Sequence, residues 1–214
     1  MAHNKKGGNI NRRKLLYLLS GGATFSVLGK TCLTTPYQTE GPFYPEPLKR
    51  IKTNILLNKN PEKETVKLPE LLFLTGKVVD QKCKPIKGVK VEIWQADFKG
   101  QYKHPLDPSK NLIPNFLYFG SDLTNEKGEF WFWTIKPAAY GNFFFRRTPH
   151  IHFKVKSSQI TLTTQLYFSG EKLNSSDGIL NSLGKDKEKV IIDLEKKKNS
   201  FNEYLEGHFD ISLT

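Results

Sequence analysis

The segment LLFLTGKVVDQKCKPIKGVKVEIWQA, residues 71–96, has the pattern of two β-strands joined by a turn. Residues 71–79 are apolar and rich in β-branched side chains, as is typical of a buried strand. In residues 89–96 successive side chains point to opposite faces of the predicted strand, so Glu92 and Trp94 share one face. A hairpin of this kind predicts that the chain is built mainly from sheets.

Further strand-like runs follow this hairpin and are separated by turn residues. They cover residues 129–134, 149–156, 160–168, 190–194 and 208–213. The only helical pattern is short and lies near residues 177–183. Several short strands with regular turn signals predict an all-β protein, a β-sandwich with long loops and little helix.

The chain carries a formal net charge of +12, which raises the question of a nucleic-acid partner. Residues 1–32 hold six of the 33 basic residues and none of the 21 acidic ones. The remaining sequence therefore has a net charge of +6, with lysines scattered among aspartates and glutamates. Such scatter is typical of a solvated surface, and we predict no nucleic-acid partner.

The amino-terminal sequence has the features of an export signal. Arg12 and Arg13 precede an apolar run, residues 15–19, and small residues up to Gly29. This stretch is too short and glycine-rich to span a membrane stably, and it resembles a twin-arginine signal. We predict a leader over residues 1–32, a folded domain over 33–214, no membrane span after leader removal, and a periplasmic or extracellular location. The alternative is a disordered basic tail.

The two cysteines, Cys32 and Cys83, allow at most one disulfide, which would need an oxidising compartment. Neither has a partner at the spacing of a metal site. Two unpaired thiols are an equally good interpretation, so the sequence leaves the pairing open.

The first chemical signal is the pair His150 and His152. Residues two apart in a strand point to the same face, about 6.5–7 Å apart, so both imidazoles can reach one metal ion. Such pairs also occur by chance. No third histidine is nearby, and no Asp or Glu evidently completes a two-His, one-carboxylate site, so further ligands must be of another type.

Six motifs in order resemble those of the intradiol ring-cleavage dioxygenases. They are TEGPFY (39–44), EIWQAD (92–97), GQY (100–102), TIKPAAY (134–140), RTPHIHF (147–153) and TQLYF (164–168). The resemblance covers about residues 35–213 and is far more specific than any single motif.

The resemblance implies a non-haem ferric ion, Fe(3+), bound by Tyr102, Tyr140, His150 and His152. A phenolate is a hard anionic donor that stabilises Fe(III) over Fe(II), which explains why tyrosines would serve as ligands of a ferric ion. Each tyrosine considered alone could instead be an amphipathic residue of the core or its rim.

The resemblance also implies three catalytic side chains. Tyr140 would leave the metal and take a proton from the substrate, Arg147 would stabilise negative charge on the substrate ring, and Gln165 would border the substrate pocket. The alternatives are a surface cation for Arg147 and a sheet-edge amide for Gln165. His104 and His208 match no role and are predicted to be structural.

The implied activity is cleavage of a catechol-type ring between its two hydroxylated carbons, with O₂ and without a reductant, to a muconate-type diacid. The partners are then a catecholic small molecule and O₂, and an oligomer is compatible with the sequence. The stretch 141–145 is short and aromatic where family members that cleave protocatechuate have a longer and more polar one, so the comparison implies a different substrate. The competing hypothesis is a non-catalytic transthyretin-like β-sandwich with copper or zinc at the histidine pair, to which the tyrosines would be irrelevant.

Overall fold

The structure is a computed structural model that describes residues 32–47, 51–57, 70–108, 111–142, 145–200 and 203–213. The predicted leader, apart from Cys32, lies outside these residues. Within them, no helix is both long enough and apolar enough to cross a membrane.

Strands account for most of the regular structure in the described residues. They are β1 Leu71–Val79, β2 Lys90–Gln95, β3 Phe119–Leu123, β4 Glu129–Ile135, β5 Tyr140–Gly141, β6 Arg146–Arg147, β7 His150–Lys156, β8 Thr161–Phe168, β9 Ile191–Ile192, β10 Leu194–Lys198, β11 Glu203–His208 and β12 Ile211–Ser212. One short α-helix, α1 Gly178–Asn181, lies between 3-10 turns at Lys172–Ser175 and Gly184–Val190. The prediction of an all-β fold with little helix is confirmed.

The first sheet is organised around β1. This strand pairs with β4 on one edge and, in parallel, with β11 and then β12 on the other, while β10 pairs with β11. Every second side chain of β1 is buried, from Leu72 to Val78. Phe130 and Phe132 of β4 are also buried and belong to the same core cluster. This alternation is expected of a sheet with one face on the core.

The second sheet carries the predicted histidines and has the order β3-β2-β7-β8-β9. The hairpin predicted for residues 71–96 is wrong, because β2 belongs to this sheet and does not pair with β1. Ile93, Ile151 and Phe153 lie in the core between the sheets. The opposite face is buried as well, since Trp94 and His152 are at most 2% exposed. Residues 35–45 cross the outer side of this sheet and contribute to that burial, as the contacts below show. We call residues 35–45 the strap.

The carboxyl-terminal third differs in detail from the prediction. The run 190–194 is divided between β9, which extends the second sheet, and β10, which belongs to the first. The run 208–213 is likewise divided between the end of β11 and β12. Strand β3 was missed because its sequence, FGSDL, has no β-branched residue.

Two local features involve residues that the sequence singled out. The helical pattern at 177–183 corresponds to α1, whose first backbone N–H groups are capped by the side chain of Asp177. Cys32 and Cys83 form a disulfide, which ties the chain just before the strap to the turn after β1. The open question of the cysteines is thereby answered in favour of pairing.

Candidate active site

Strand β7 brings the two histidines together on the outer face of the second sheet. His150 and His152 are each 2% exposed, and their Nε2 atoms lie 3.2 Å apart. Nδ1 of His150 lies 2.6 Å from the carbonyl oxygen of Thr148. A carbonyl only accepts, so the His150 proton resides on Nδ1, and Nε2 keeps its lone pair.

Both imidazoles are neutral. Burial lowers the pKa of His150 to about 3, and the positive charge of Arg147 acts in the same direction. Burial also lowers the pKa of His152 well below its ordinary value, with further lowering by His150 and Arg147. Neutral imidazole is the form that binds metal ions.

Neighbouring strands fix the plane of the His152 ring. Trp94 lies directly opposite His152 across the β2–β7 ladder, and the two rings stack at 4.8 Å with 12° between their planes. On the other side, Gln165 of β8 pairs with His152 in the ladder. The histidine therefore sits in the middle of a cross-strand row, which explains its rigid orientation.

Tyr102 comes from the loop after β2, which Asp97 organises. The carboxylate of Asp97 accepts hydrogen bonds from the backbone N–H groups of Lys99 and Gln101 and from the Tyr118 hydroxyl, at 2.8–3.1 Å. Tyr102 is 3% exposed, and its hydroxyl makes no hydrogen bond within normal limits to any residue that the structure describes. Burial raises its pKa well above the ordinary value, as does the nearby Tyr140.

Tyr140 comes from the short β5–β6 hairpin and completes a ring of four side chains. Ring centroids lie 5.3 Å apart for Tyr102 and Tyr140, 5.5 Å for Tyr140 and His150, 4.8 Å for His150 and His152, and 6.4 Å for His152 and Tyr102. Tyr140 is half-buried, and burial raises its pKa although Arg147 opposes the effect. The four predicted ligands therefore lie together.

Arg147 is a buried cation beside this cluster, so the alternative of a surface cation is wrong. It pairs with Tyr140 in the β5–β6 ladder, is 3% exposed, and donates from Nε to Asp177 at 2.8 Å. Burial lowers its pKa, but Tyr167 and Asp177 raise it by more. Burial raises the pKa of the Asp177 carboxyl, but its hydrogen bonds lower it by more. Arg147 and Asp177 are therefore both charged.

Gln165 lies behind Arg147 and is fully buried. Its amide oxygen accepts from Arg147 Nη2 at 2.7 Å and from the Tyr167 hydroxyl at 3.0 Å, while its nitrogen donates to the carbonyl of Thr39. Tyr167 also donates to Gln38 of the strap at 2.8 Å. Gln165 thus supports Arg147 and the strap through protein contacts.

Sequence reasoning missed Asp177, Tyr167 and Gln38 as members of this network. Asp177 showed only the signal of a helix cap, and Tyr167 only that of a strand aromatic. The other two histidines of the described residues are His104 and His208, which were predicted to be structural. His104 lies edge-on to Phe43 at a centroid distance of 5.7 Å, and exposed His208 pairs with Asp210.

The donor set fits a hard metal ion. Among the described residues, no group of three His, Cys, Asp or Glu side chains is placed to hold a metal. The side chains that lie beside the two histidines and could serve as further ligands are Tyr102 and Tyr140. Two buried imidazoles beside two phenols, one of which makes no hydrogen bond of normal geometry, form a donor set that a hard metal ion can use.

Comparison with known proteins gives consistent results. The family model described as "Dioxygenase" matches residues 39–214. The protocatechuate 3,4-dioxygenase beta chain of Burkholderia cepacia is 40% identical over 129 residues, which is 58% of this chain and 55% of that protein. The chain spans about half the length of the curated relatives it matches.

Solved structures agree with the fold. The intradiol ring-cleavage dioxygenase from Tetranychus urticae superposes with a TM-score of 0.65 at 26% identity, over 85% of this chain and 94% of that one. The 3-chlorocatechol 1,2-dioxygenase from Rhodococcus opacus 1CP gives 0.68 at 24% identity, over 83% and 71%, a likeness that shows the fold alone. With a family model that covers most of the sequence, the chain belongs to the intradiol ring-cleavage dioxygenase family.

Proposed function

We propose that the protein binds a non-haem ferric ion through Tyr102, Tyr140, His150 and His152 and cleaves a catechol-type ring between its two hydroxylated carbons with O₂. The observation that carries this proposal is the convergence of two neutral imidazoles on two phenols, one of them buried and without a hydrogen bond of normal geometry. The dioxygenase names of the relatives support the reaction class.

The two tyrosines have different environments and, in this proposal, different roles. A bound ferric ion would supply Lewis acidity and a template for catechol and O₂. Tyr102 is almost fully buried in an ordered loop and remains in place, whereas half-buried Tyr140 lies on a two-stranded hairpin and can move away. Because burial raises the Tyr140 pKa, the freed phenolate takes up a proton from a substrate hydroxyl.

Arg147 supplies a fixed positive charge. Both Arg147 and Asp177 are charged and buried, and the guanidinium is held before substrate arrives. Negative charge that develops on the catechol ring beside Tyr140 is therefore stabilised without reorganisation of the protein. Gln165 contributes by holding Arg147 rather than by contact with the ring.

The surroundings suit a small aromatic substrate. A cavity of about 270 Å³ adjoins Tyr102, the one proposed ligand that lines it, and its other lining residues include Trp94, Phe43, Phe119 and Lys103. An apolar cavity of about 150 Å³ is enough to hold benzene. We therefore propose a catechol with small, apolar ring substituents, consistent with the aromatic stretch 141–145.

The proposal is tested by incubating iron-loaded protein with catechol and 4-methylcatechol under ¹⁸O₂ and analysing the products by mass spectrometry. We expect a ring-opened diacid that carries both ¹⁸O atoms, formed without a reductant. The matched control is His208→Ala, because His208 is not part of the proposed site. This variant should be as active as wild type. Failure of iron-loaded protein to consume any catechol, or a preference for copper or zinc at the histidines, would leave the transthyretin-like hypothesis as the better one.

We also propose that the protein is exported. The support is the arginine pair at 12–13, followed by an apolar run, together with the disulfide between Cys32 and Cys83, since disulfides persist in oxidising compartments. Amino-terminal sequencing of the exported protein should show loss of about 25–31 residues, because Cys32 must remain to pair with Cys83. Replacing both arginines by lysine should retain the protein in the cytoplasm; an intact Met1 on exported protein would contradict cleavage.

A further inference from the structure

Asp177 uses its two carboxylate oxygens for two separate tasks. Oδ1 accepts hydrogen bonds from the backbone N–H groups of Ile179 and Leu180, at 3.1 and 2.9 Å, and so caps α1. Oδ2 accepts from Arg147 Nε at 2.8 Å and from the backbone N–H of Thr148 at 2.9 Å. The side chain is fully buried, so solvent does not compete with these contacts.

The second task reaches both halves of the candidate active site. Arg147 pairs with Tyr140 across the β5–β6 hairpin. The carbonyl of Thr148 faces Nδ1 of His150 at 2.6 Å. One carboxylate oxygen therefore fixes the two residues that lead from the Tyr140 hairpin into the histidine strand.

The guanidinium is held along one edge, through two neighbouring nitrogens. Asp177 accepts from Nε at 2.8 Å, and Gln165 and Tyr167 accept from Nη2 at 2.7 and 3.2 Å. Contacts to two nitrogens of a planar group fix both its position and its plane. Contacts from β8 alone would leave the arginine free to rotate about its last bonds.

We propose that Asp177 is a positioning residue, which holds the Arg147 guanidinium in the orientation needed to stabilise charge on the substrate ring. This inference rests on the proposed function and adds a residue to it. A cap alone does not require aspartate, since asparagine caps helices equally well. The contact to Arg147 does require a second acceptor, which asparagine lacks.

Asp177→Asn separates the two tasks, because its amide oxygen keeps the cap while its NH₂ group faces two donors. In iron-loaded protein we expect kcat to fall about tenfold to hundredfold, with a smaller change in KM. The matched control is Asn181→Ala. It removes the hydrogen bonds that the Asn181 side chain donates to the backbone carbonyls of Asn174 and Asp177, and it does not touch Arg147. The control should stay within about twofold of wild type.

A double-variant cycle distinguishes positioning from general loosening. In an Arg147→Ala background, Asp177→Asn should lower kcat by several-fold less than it does in the wild-type background, because only the backbone contact to Thr148 remains to be lost. Equal losses in both backgrounds, or an equal loss in Asn181→Ala, would overturn the proposal.

A second measurement needs neither activity nor a variant at position 177. In metal-free wild-type protein, the Nε–H proton of Arg147 should exchange slowly with solvent, unlike that of exposed Arg146. Its signal in a ¹H–¹⁵N NMR spectrum is assigned by its disappearance in Arg147→Lys. Rapid exchange would overturn the positioning of Arg147 even if Asp177→Asn fails to fold. A slowly exchanging signal in protein that cleaves no catechol would instead overturn the proposed function and leave Asp177 as the anchor of Arg147.

Discussion

Gly100→Ala tests how closely the loops of the two tyrosines approach each other. Gly100 lies two residues before Tyr102 with φ +77°, and a Cβ there would lie 2.4 Å from the carbonyl oxygen of Ala139 and 3.2 Å from Cβ of Tyr140. Backbone atoms cannot rotate away, so the loops must separate. The substitution therefore wedges apart the segments that carry two of the four proposed ligands.

The control is Gly88→Ala, because Gly88 has φ +72° and no atom within 4 Å of the added Cβ. Both variants carry the cost of an alanine in the left-handed region, about 1–2 kcal/mol. Gly100→Ala adds overpacking, typically about 1–3 kcal/mol. Gly100→Ala should therefore melt about 2–12 °C lower than Gly88→Ala, because 1 kcal/mol shifts the melting temperature of a domain of this size by about 2–4 °C.

Urea unfolding and thermal melts of both metal-free variants measure this difference directly. In iron-loaded protein, a displacement of about 1 Å between ligands should cost up to about a hundredfold in turnover for Gly100→Ala only. Equal destabilisation of the two variants, with unchanged turnover, would show that the loops are not in contact and would refute the reasoning.

Four further predictions concern single side chains. His150→Ala should lose most of its iron, measured by metal analysis after gel filtration, whereas retention equal to wild type would exclude it as a ligand. Tyr140→Phe should keep more iron than His150→Ala yet turn over more slowly; an unchanged rate would remove Tyr140 as base. Arg147→Ala should cost about 2–4 kcal/mol in kcat with little change in KM, whereas a rise in KM alone would indicate a binding role. Glu92→Gln should cost about 1–3 kcal/mol of unfolding free energy near neutral pH, and the loss should shrink below about pH 4.5; a loss independent of pH would contradict its charge.

The sign of the pH effect follows from the surroundings of Glu92. Burial raises the pKa of this carboxyl, but Lys90 at 2.6 Å, Lys156 at 2.9 Å and the Tyr44 hydroxyl at 2.8 Å lower it by more. Its pKa in the folded protein is therefore below the ordinary 4.5. The stabilisation is present above that value and is lost as pH falls through the lower pKa of the folded state.

Patterns within one strand were readable from the sequence. The alternation in residues 89–96 placed Glu92 and Trp94 on one face, and both lie on the face of β2 that also supports His152. Period-two spacing was enough to bring His150 and His152 together, because it depends only on the geometry of one strand. The site tyrosines, one on a loop and one on the short β5–β6 hairpin, were found by resemblance and not by any local pattern.

Long-range contacts were not readable in this way. Nothing in the sequence around Asp177 distinguishes a helix cap from a carboxylate that also pairs with Arg147, thirty residues earlier. The charge of Glu92 would normally place it at the surface, yet two lysines and the strap bury it. Whether a polar residue is buried depends on which partners the fold supplies, and pairing across sheets leaves no period in the sequence.

The most direct test of the central claim is titration of Fe(III) into metal-free protein, followed by visible absorption and metal analysis. We expect a phenolate-to-iron charge-transfer band that saturates at about one iron per chain. Because the proposal assigns Tyr102 and Tyr140 as the two phenol donors, the band should weaken in Tyr102→Phe and in Tyr140→Phe. Tyr204 packs against Trp133 away from the site, so Tyr204→Phe should leave the band unchanged. A colourless protein that binds stoichiometric zinc or copper at the histidines, or a band that is unaffected by either ligand substitution, would contradict the account.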